Sequence, residues 1–263
     1  MSIFQAVVLG AVQGLTEFLP ISSSAHLYII PTLLHWPYGG VAFDVALHWG
    51  TLLALLAAFW REWLALLTPL AGGPAPARRD ALSMWAKIAI ASVPGAIAGV
   101  MLKDVAESSL RNLPLQAAML AVFGLLLWAV DRFFPAGKRT ERPGWGASLG
   151  VGLAQALALI PGVSRSGVTI TAGRASGLDR VSAARFSFLL ATPITFGAGL
   201  LELRHLPHDV SRAALAAGVV TAAVVGLLTI RGLLRWLARA GFAAFFAYRV
   251  ALALLIVWSL RPH

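Results

Sequence analysis

The sequence predicts an all-α integral membrane protein, with about six transmembrane helices and two re-entrant helix–loop–helix hairpins arranged as an inverted repeat. Three observations carry this. The composition is 59% hydrophobic and only 12% charged. Six apolar segments approach the length of a bilayer span. Two further apolar stretches break at a proline and run into serine clusters.

Composition comes first. A soluble domain carries roughly 25% charged residues, so this chain lacks the polar groups to cover a water-facing surface. A bilayer accepts apolar faces, provided backbone groups are satisfied within helices. The length of 263 residues suits one polytopic domain, 1–263. The net charge of +10 reads as basic ends and loops between spans rather than as a nucleic-acid surface. No nucleic-acid partner is therefore expected; the partner is the bilayer. There is no cysteine, which excludes a disulfide, a thiol nucleophile or a Cys-bound metal. The first residues hold Gln13 and Glu17 and no basic n-region, unlike a cleaved signal peptide.

The expected spans lie near 43–60, 87–101, 115–130, 186–203, 213–230 and 242–260. Each approaches the minimum for a hydrocarbon core of about 30 Å. The stretch up to Leu19 ends in Pro20, and the stretch before Ile160 ends in Pro161 and Gly162. Proline and glycine stop a helix. A polar loop at that depth is tolerated only inside protein or beside a wet cavity. Hence each reads as a re-entrant hairpin.

The two halves, about 1–130 and 145–263, echo each other. Gln13 lies in a run like that around Gln155. Pro20 with Ser22, Ser23 and Ser24 parallels Pro161 with Ser164 and Ser166. Chance similarity in an apolar chain is the competing explanation. Basic groups around Arg61, Arg78, Arg79 and Lys87, around Arg132, Lys138, Arg139 and Arg142, and around Arg231, Arg235 and Arg239 fall on one side when six spans are counted. That side should be the cytoplasm. The loops 103–111 and 204–212 then fall outside. Three spans separate the hairpins, so the repeat is inverted and its polar loops meet near the midplane.

The first polar constellation is Gln13, Glu17, Ser22, Ser23, Ser24 and His26. Gln13 and Glu17 are one helical turn apart and share a face. An ionisable residue inside an apolar segment is a functional candidate by default. The serines can cap the helix that follows Pro20, but capping needs one of them, not three. His26 follows Ser23 by about one turn. The second constellation is Gly162, Ser164, Arg165, Ser166, Gly167 and Thr169. A helix N-terminus offers free N–H groups to an anion. Arginine adds a forked cation matched to phosphate oxygens, and glycine allows close backbone approach. Lesser candidates are Asp44 and His48, which could line an entrance, bind a cation or be structural. Arg174 could assist a phosphate site or face the cytoplasm. Lys87 and Glu202 read as span ends, and the tryptophans as interface residues.

Together these motifs resemble the bacterial undecaprenyl-diphosphate phosphatase family associated with bacitracin resistance. Gln13 to Glu17, then Pro20, Ser22–Ser24 and His26, is similar to its first signature. The run from Pro161 to Thr169 matches its second, Pro-Gly-x-Ser-Arg-Ser-x-x-Thr, in full. The runs at Phe43-Asp44-Val45 and Phe186-Ser-Phe also look like the family. Ala25 departs from it, where glycine is usual, and Gln13 stands where many members have Glu.

The resemblance implies hydrolysis of undecaprenyl diphosphate to undecaprenyl phosphate, which recycles the carrier lipid for cell-wall synthesis. It implies a homodimer in the bacterial inner membrane, with the site open to the periplasmic or outer face. Arg165, with Gly162, Ser164, Ser166, Thr169, Ser22, Ser24 and Gln13, would bind the diphosphate. Ser23 or His26 would attack phosphorus, and Glu17 and His26 would handle protons. Glu17 could instead hold Mg2+ or Ca2+; no organic cofactor is expected. The alternative is a transporter or flippase for an anionic polyprenyl lipid, in which Arg165 binds the head group without cleavage.

Overall fold

The computed structural model describes residues 1–37, 39–108, 110, 112–134, 142–202 and 210–260. All regular structure among them is helical: α1 (Ile3–Thr16), α2 (Ser23–Leu33), α3 (Gly40–Ala58), α4 (Trp60–Leu67), α5 (Ala75–Glu107), α6 (Leu113–Phe133), α7 (Trp145–Ala156), α8 (Arg165–Ala175), α9 (Arg180–Glu202), α10 (Arg212–Leu237) and α11 (Ala243–Ser259), with short 3-10 turns at Thr68–Ala71 and Leu157–Leu159. The starts follow from local chemistry. A Ser2–Gln5 capping box opens α1, and the Asn112 and Ser211 side chains cap α6 and α10.

Five helices are long and apolar enough to cross a membrane: α3, α6, α10, and the stretches Ala75–Leu102 of α5 and Arg180–Leu201 of α9. The sixth expected span, α11, is apolar but has only 17 residues. The second span begins a dozen residues before its expected start, because Arg78, Arg79 and Asp80 lie in the first turns of α5 rather than in a loop. Likewise Arg231 and Arg235 belong to α10, and Arg61 to α4. Hydropathy marks only the apolar part of a helix, whereas the backbone ladder continues into polar residues. Cations in a last turn are further favoured by the helix dipole. Lys138 and Arg139, and the side chains of Lys103 and Glu202, lie outside the described residues.

Many large side chains, such as Leu53, Val100, Val220 and Leu254, point outward. An apolar surface of this extent suits lipid rather than water. Inside, α10 lies along both α1 and α3, α7 along α5, and α6 along α11. Small residues permit the α1–α10 approach: a Cβ on Gly14 would stand 2.7 Å from the Ala222 carbonyl oxygen. The short helices α1–α2 and α7–α8 form two helix–turn–helix pairs, whose turns lie at Pro20 and Pro161 as expected. Both turns are buried, and each carries a non-glycine residue at positive φ, Ser22 at 74° and Ser164 at 73°.

Candidate active site

The two turns meet. Ser166, at the start of α8, donates its hydroxyl to the carbonyl of Leu19 at 3.1 Å. Arg165 Nη2 donates to Glu17 Oε1 at 2.7 Å. Phe18, fully buried, packs edge-on against Phe188 of α9 and anchors the first turn beside them.

Glu17 is the hub. Its second oxygen accepts from Ser23 Oγ at 2.6 Å and from the Gln13 amide at 3.3 Å. His48 Nε2, from α3, stands 3.5 Å from that same oxygen. The His48 Nδ1–H donates to the Asp44 carbonyl at 2.7 Å, which fixes the ring's orientation. The contact with Glu17 is attractive when Nε2 also carries a proton. The carboxylate is almost fully buried. Its charge is offset by the Arg165 guanidinium and by hydrogen bonds, as a buried charge requires.

These groups line a cavity of about 230 Å³. Glu17, Ser22, Ser23, Ser24, Ser164 and Arg165 form its polar wall, and His48 adds to it. Val45, Leu159, Ile194 and Ala198 are on its apolar side. Helices α2 and α8 both begin at this wall, so two N-terminal helix ends, whose first N–H groups have no acceptor within their own helix, converge on one space. Two helix N-termini, a guanidinium and several hydroxyls make an anion site. The hydroxyl bonded to a carboxylate makes a nucleophile candidate.

The remaining expected residues stand behind the wall or away from it. Gln13 supports Glu17. Thr169 Oγ1 donates to the Arg165 carbonyl and accepts from Ser187 Oγ, both at 2.7 Å, so it steadies the base of α8. Ser187 also supplies a backbone oxygen to Arg165 Nη1 at 3.2 Å. Gly162, at φ 96°, makes the turn. The Ser22 side chain does not cap α2; its hydroxyl turns to Ser24 at 3.2 Å. Ser164 does cap α8, accepting from the Gly167 N–H.

His26 faces the other way. Its Nδ1–H donates to the Ser22 carbonyl at 2.7 Å, and Nε2 pairs with the Tyr248 hydroxyl of α11 at 2.7 Å. It lines a separate apolar groove with Leu15, Phe245 and Tyr248. Arg174 is likewise remote, held by Asp131 and the Leu178 carbonyl. Sequence reasoning gave no role to Ser187 and no preference to His48. The one local signal for His48 was its one-turn spacing from Asp44.

Among the described residues no three His, Cys, Asp or Glu side chains group as a cation site. Glu17 is the carboxylate at the cavity. Beside it, Gln13 Oε1 is buried without a hydrogen-bond partner.

Comparison with known proteins supplies the family. The family model described as bacitracin resistance protein BacA matches residues 6–255. An undecaprenyl-diphosphatase of Pelotomaculum thermopropionicum is 49% identical, covering 98% of this chain and 96% of its own. That of Moorella thermoacetica is also 49% identical, over 98% and 97%. That of Gemmatimonas aurantiaca is 46% identical over the whole of both chains. With its apolar helices the chain is a multi-pass membrane protein, and it belongs to the bacitracin resistance protein BacA family.

Proposed function

We propose that this protein hydrolyses undecaprenyl diphosphate to undecaprenyl phosphate and inorganic phosphate, returning the carrier lipid to cell-wall synthesis. One observation carries the reading: a single buried carboxylate, Glu17, is shared between a hydroxyl from the first turn and a guanidinium from the second. A binding protein needs the cation. It does not need a serine hydrogen-bonded to a carboxylate beside it.

In this mechanism the terminal phosphate enters between the N-termini of α2 and α8 and takes over the Arg165 fork. Arg165 and the helix N–H groups then stabilise the negative charge of the transferring phosphoryl group. Glu17, released from Arg165, accepts the Ser23 proton while Ser23 Oγ attacks phosphorus. The bond from that phosphorus to the bridging oxygen breaks, and undecaprenyl phosphate leaves. Glu17 passes that proton to the departing undecaprenyl phosphate. Water then attacks the phosphoserine, Glu17 taking a proton from the water and returning it to Ser23 Oγ as the P–O bond to the serine breaks, and inorganic phosphate is released. The 2.6 Å bond to Glu17 favours Ser23 as nucleophile. His26, with both ring nitrogens engaged at the Ser22 carbonyl and Tyr248, is assigned to holding the first turn.

A Mg2+ or Ca2+ ion arriving with the diphosphate would be held by Glu17 and the Gln13 carbonyl oxygen, and would shield phosphate charge. One carboxylate and one amide suit a cation completed by substrate oxygens rather than an all-protein cage.

The layout in this reading has α3, α5, α6, α9, α10 and α11 as six spans, and α1–α2 and α7–α8 as re-entrant hairpins. Halves 1–130 and 145–263 are inverted copies. One interval recurs between Gln13 and Gln155, Ser22 and Ser164, and Ser23 and Arg165, and the two positive-φ serines match; both support it. The cavity opens to the periplasmic or outer face of the cell membrane, and the protein works as a homodimer.

The test is phosphate release from undecaprenyl diphosphate by the purified protein in detergent. Lipid movement across liposomes with no release of phosphate would favour the flippase alternative and overturn this reading.

A further inference from the structure

Arg249 lies in the middle of α11 and is fully buried, the largest such side chain among the described residues. It has no place in the mechanism above. Such a cation normally needs a counter-charge. Here its partners are backbone carbonyls. Nε donates to Leu120 at 2.8 Å and Nη1 to the Pro20 carbonyl at 3.1 Å. Nη2 reaches Gly162 at 2.8 Å, Val163 at 3.1 Å and Met119 at 3.2 Å.

The identity of these acceptors matters. Pro20 belongs to the first turn, Gly162 and Val163 to the second, and Met119 and Leu120 to α6. Proline and the positive-φ glycine interrupt the helical ladder, which leaves loop carbonyls needing donors. One planar fork of five N–H groups supplies them at fixed angles. The space is prepared for it. A Cβ at Gly124 would lie 3.2 Å from the Arg249 Cβ, Cδ and Nε, and one at Gly167 would lie 3.1 Å from Nη1. The preceding residue, Tyr248, holds His26 of α2.

We propose that Arg249 is a positioning residue for the phosphatase site, a single guanidinium that fastens the Pro20 turn to the Pro161 turn and so sets Ser23 opposite Arg165. This rests on the function proposed above. Arg249 touches neither the cavity nor the reacting groups. It acts through the two loops whose next residues carry them. Lysine retains the charge but offers one nitrogen, which cannot span acceptors on both turns. Since a displacement of about 1 Å can lower a rate by about 10²-fold, the loss should fall on kcat.

The experiment compares the unsubstituted protein with Arg249→Lys and Gly124→Ala in detergent. Gly124 is on α6, outside the proposed machinery, and its new methyl group presses on the Arg249 stem. Arg249→Lys should lower kcat about 10²-fold and Gly124→Ala about threefold to tenfold, with KM changed less than about threefold. In the Arg249→Lys background, Gly124→Ala should have little further effect. Amide hydrogen exchange should rise in residues 19–24 and 160–166 and not in α10. If Arg249→Lys fails to fold, Gly124→Ala carries both measurements. Unchanged kcat in the folded variants, or exchange raised evenly through the chain, overturns the proposal. If the unsubstituted protein releases no phosphate, the function is wrong, and the exchange pattern alone still decides whether Arg249 ties the turns.

Discussion

Glu17 and Arg165 stand 148 residues apart in the chain, yet their carboxylate oxygen and guanidinium nitrogen meet at 2.7 Å. The pair joins the two turns electrostatically, and in the proposed mechanism each member also acts on the substrate. Glu17→Gln and Arg165→Ala should each lower phosphate release by about 10² to 10³-fold. The double variant should be little worse than the more severe single one, because residues acting as a unit are not additive. Steady-state release by all four proteins checks this. Losses that multiply would mean the two act independently.

Ser23 is the residue expected to carry the phosphoryl group. Ser23→Ala should reduce turnover by at least about 10³-fold. Acid quenching during turnover, followed by peptide mass spectrometry, should place the phosphate on Ser23. His26→Ala should still form that phosphoserine and keep turnover within about tenfold. It should cost about 1 kcal/mol of stability through the lost Ser22 and Tyr248 hydrogen bonds. A phosphohistidine at His26 would reverse the assignment.

His48 is expected to steer Glu17 rather than react. His48→Ala removes the partner 3.5 Å from the carboxylate and should lower kcat by about tenfold to 10²-fold. His48→Gln can still donate a hydrogen bond and should recover most of that loss. Equal rates for His48→Ala and the unsubstituted protein would remove His48 from the site.

Asp131 should matter for stability and not for chemistry. It accepts from Arg174 at 3.1 Å and Arg180 at 2.8 Å, and its other oxygen from the Phe242 N–H at 3.4 Å. Arg174 is buried, so Asp131→Ala leaves a cation without a counter-charge. Removing one partner of such a pair costs about 3–5 kcal/mol. Denaturation in detergent should show that loss, while kcat per folded molecule stays near that of the unsubstituted protein. Low kcat in fully folded Asp131→Ala would contradict the separation of this ion-pair cluster from the site.

The same contrast explains what could be read without a structure. Helices, their apolar character and the breaks at Pro20 and Pro161 are local properties. Periodicity, proline and glycine report them within a few residues: the expected spans 87–101, 115–130 and 213–230 fall inside observed helices, whereas 43–60 and 242–260 run past the ends of α3 and α11. The ends were less legible, since Arg78, Arg79, Arg231 and Arg235 extend helices that hydropathy alone would stop. Within the site, the motif residues Glu17, Ser22–Ser24, Ser164 and Arg165 do gather at one cavity. Sequence spacing did not separate His26 from them. On α2 it follows Ser23 by less than one full turn, and that offset carries its ring across to Tyr248.

By itself the sequence determined that the protein is helical and apolar, that its chain breaks twice into serine-rich turns, and that an acid and an arginine lie beside those turns. Only the tertiary structure decided that Glu17 faces Arg165, that His48 joins them while His26 turns away, and that Arg249 reaches five carbonyls on three segments. The physical reason is that a backbone carbonyl has no identity in the sequence. An arginine bound to carbonyls has no complementary residue to look for, and a side chain's direction across a bundle is fixed by packing of helices far apart in the chain.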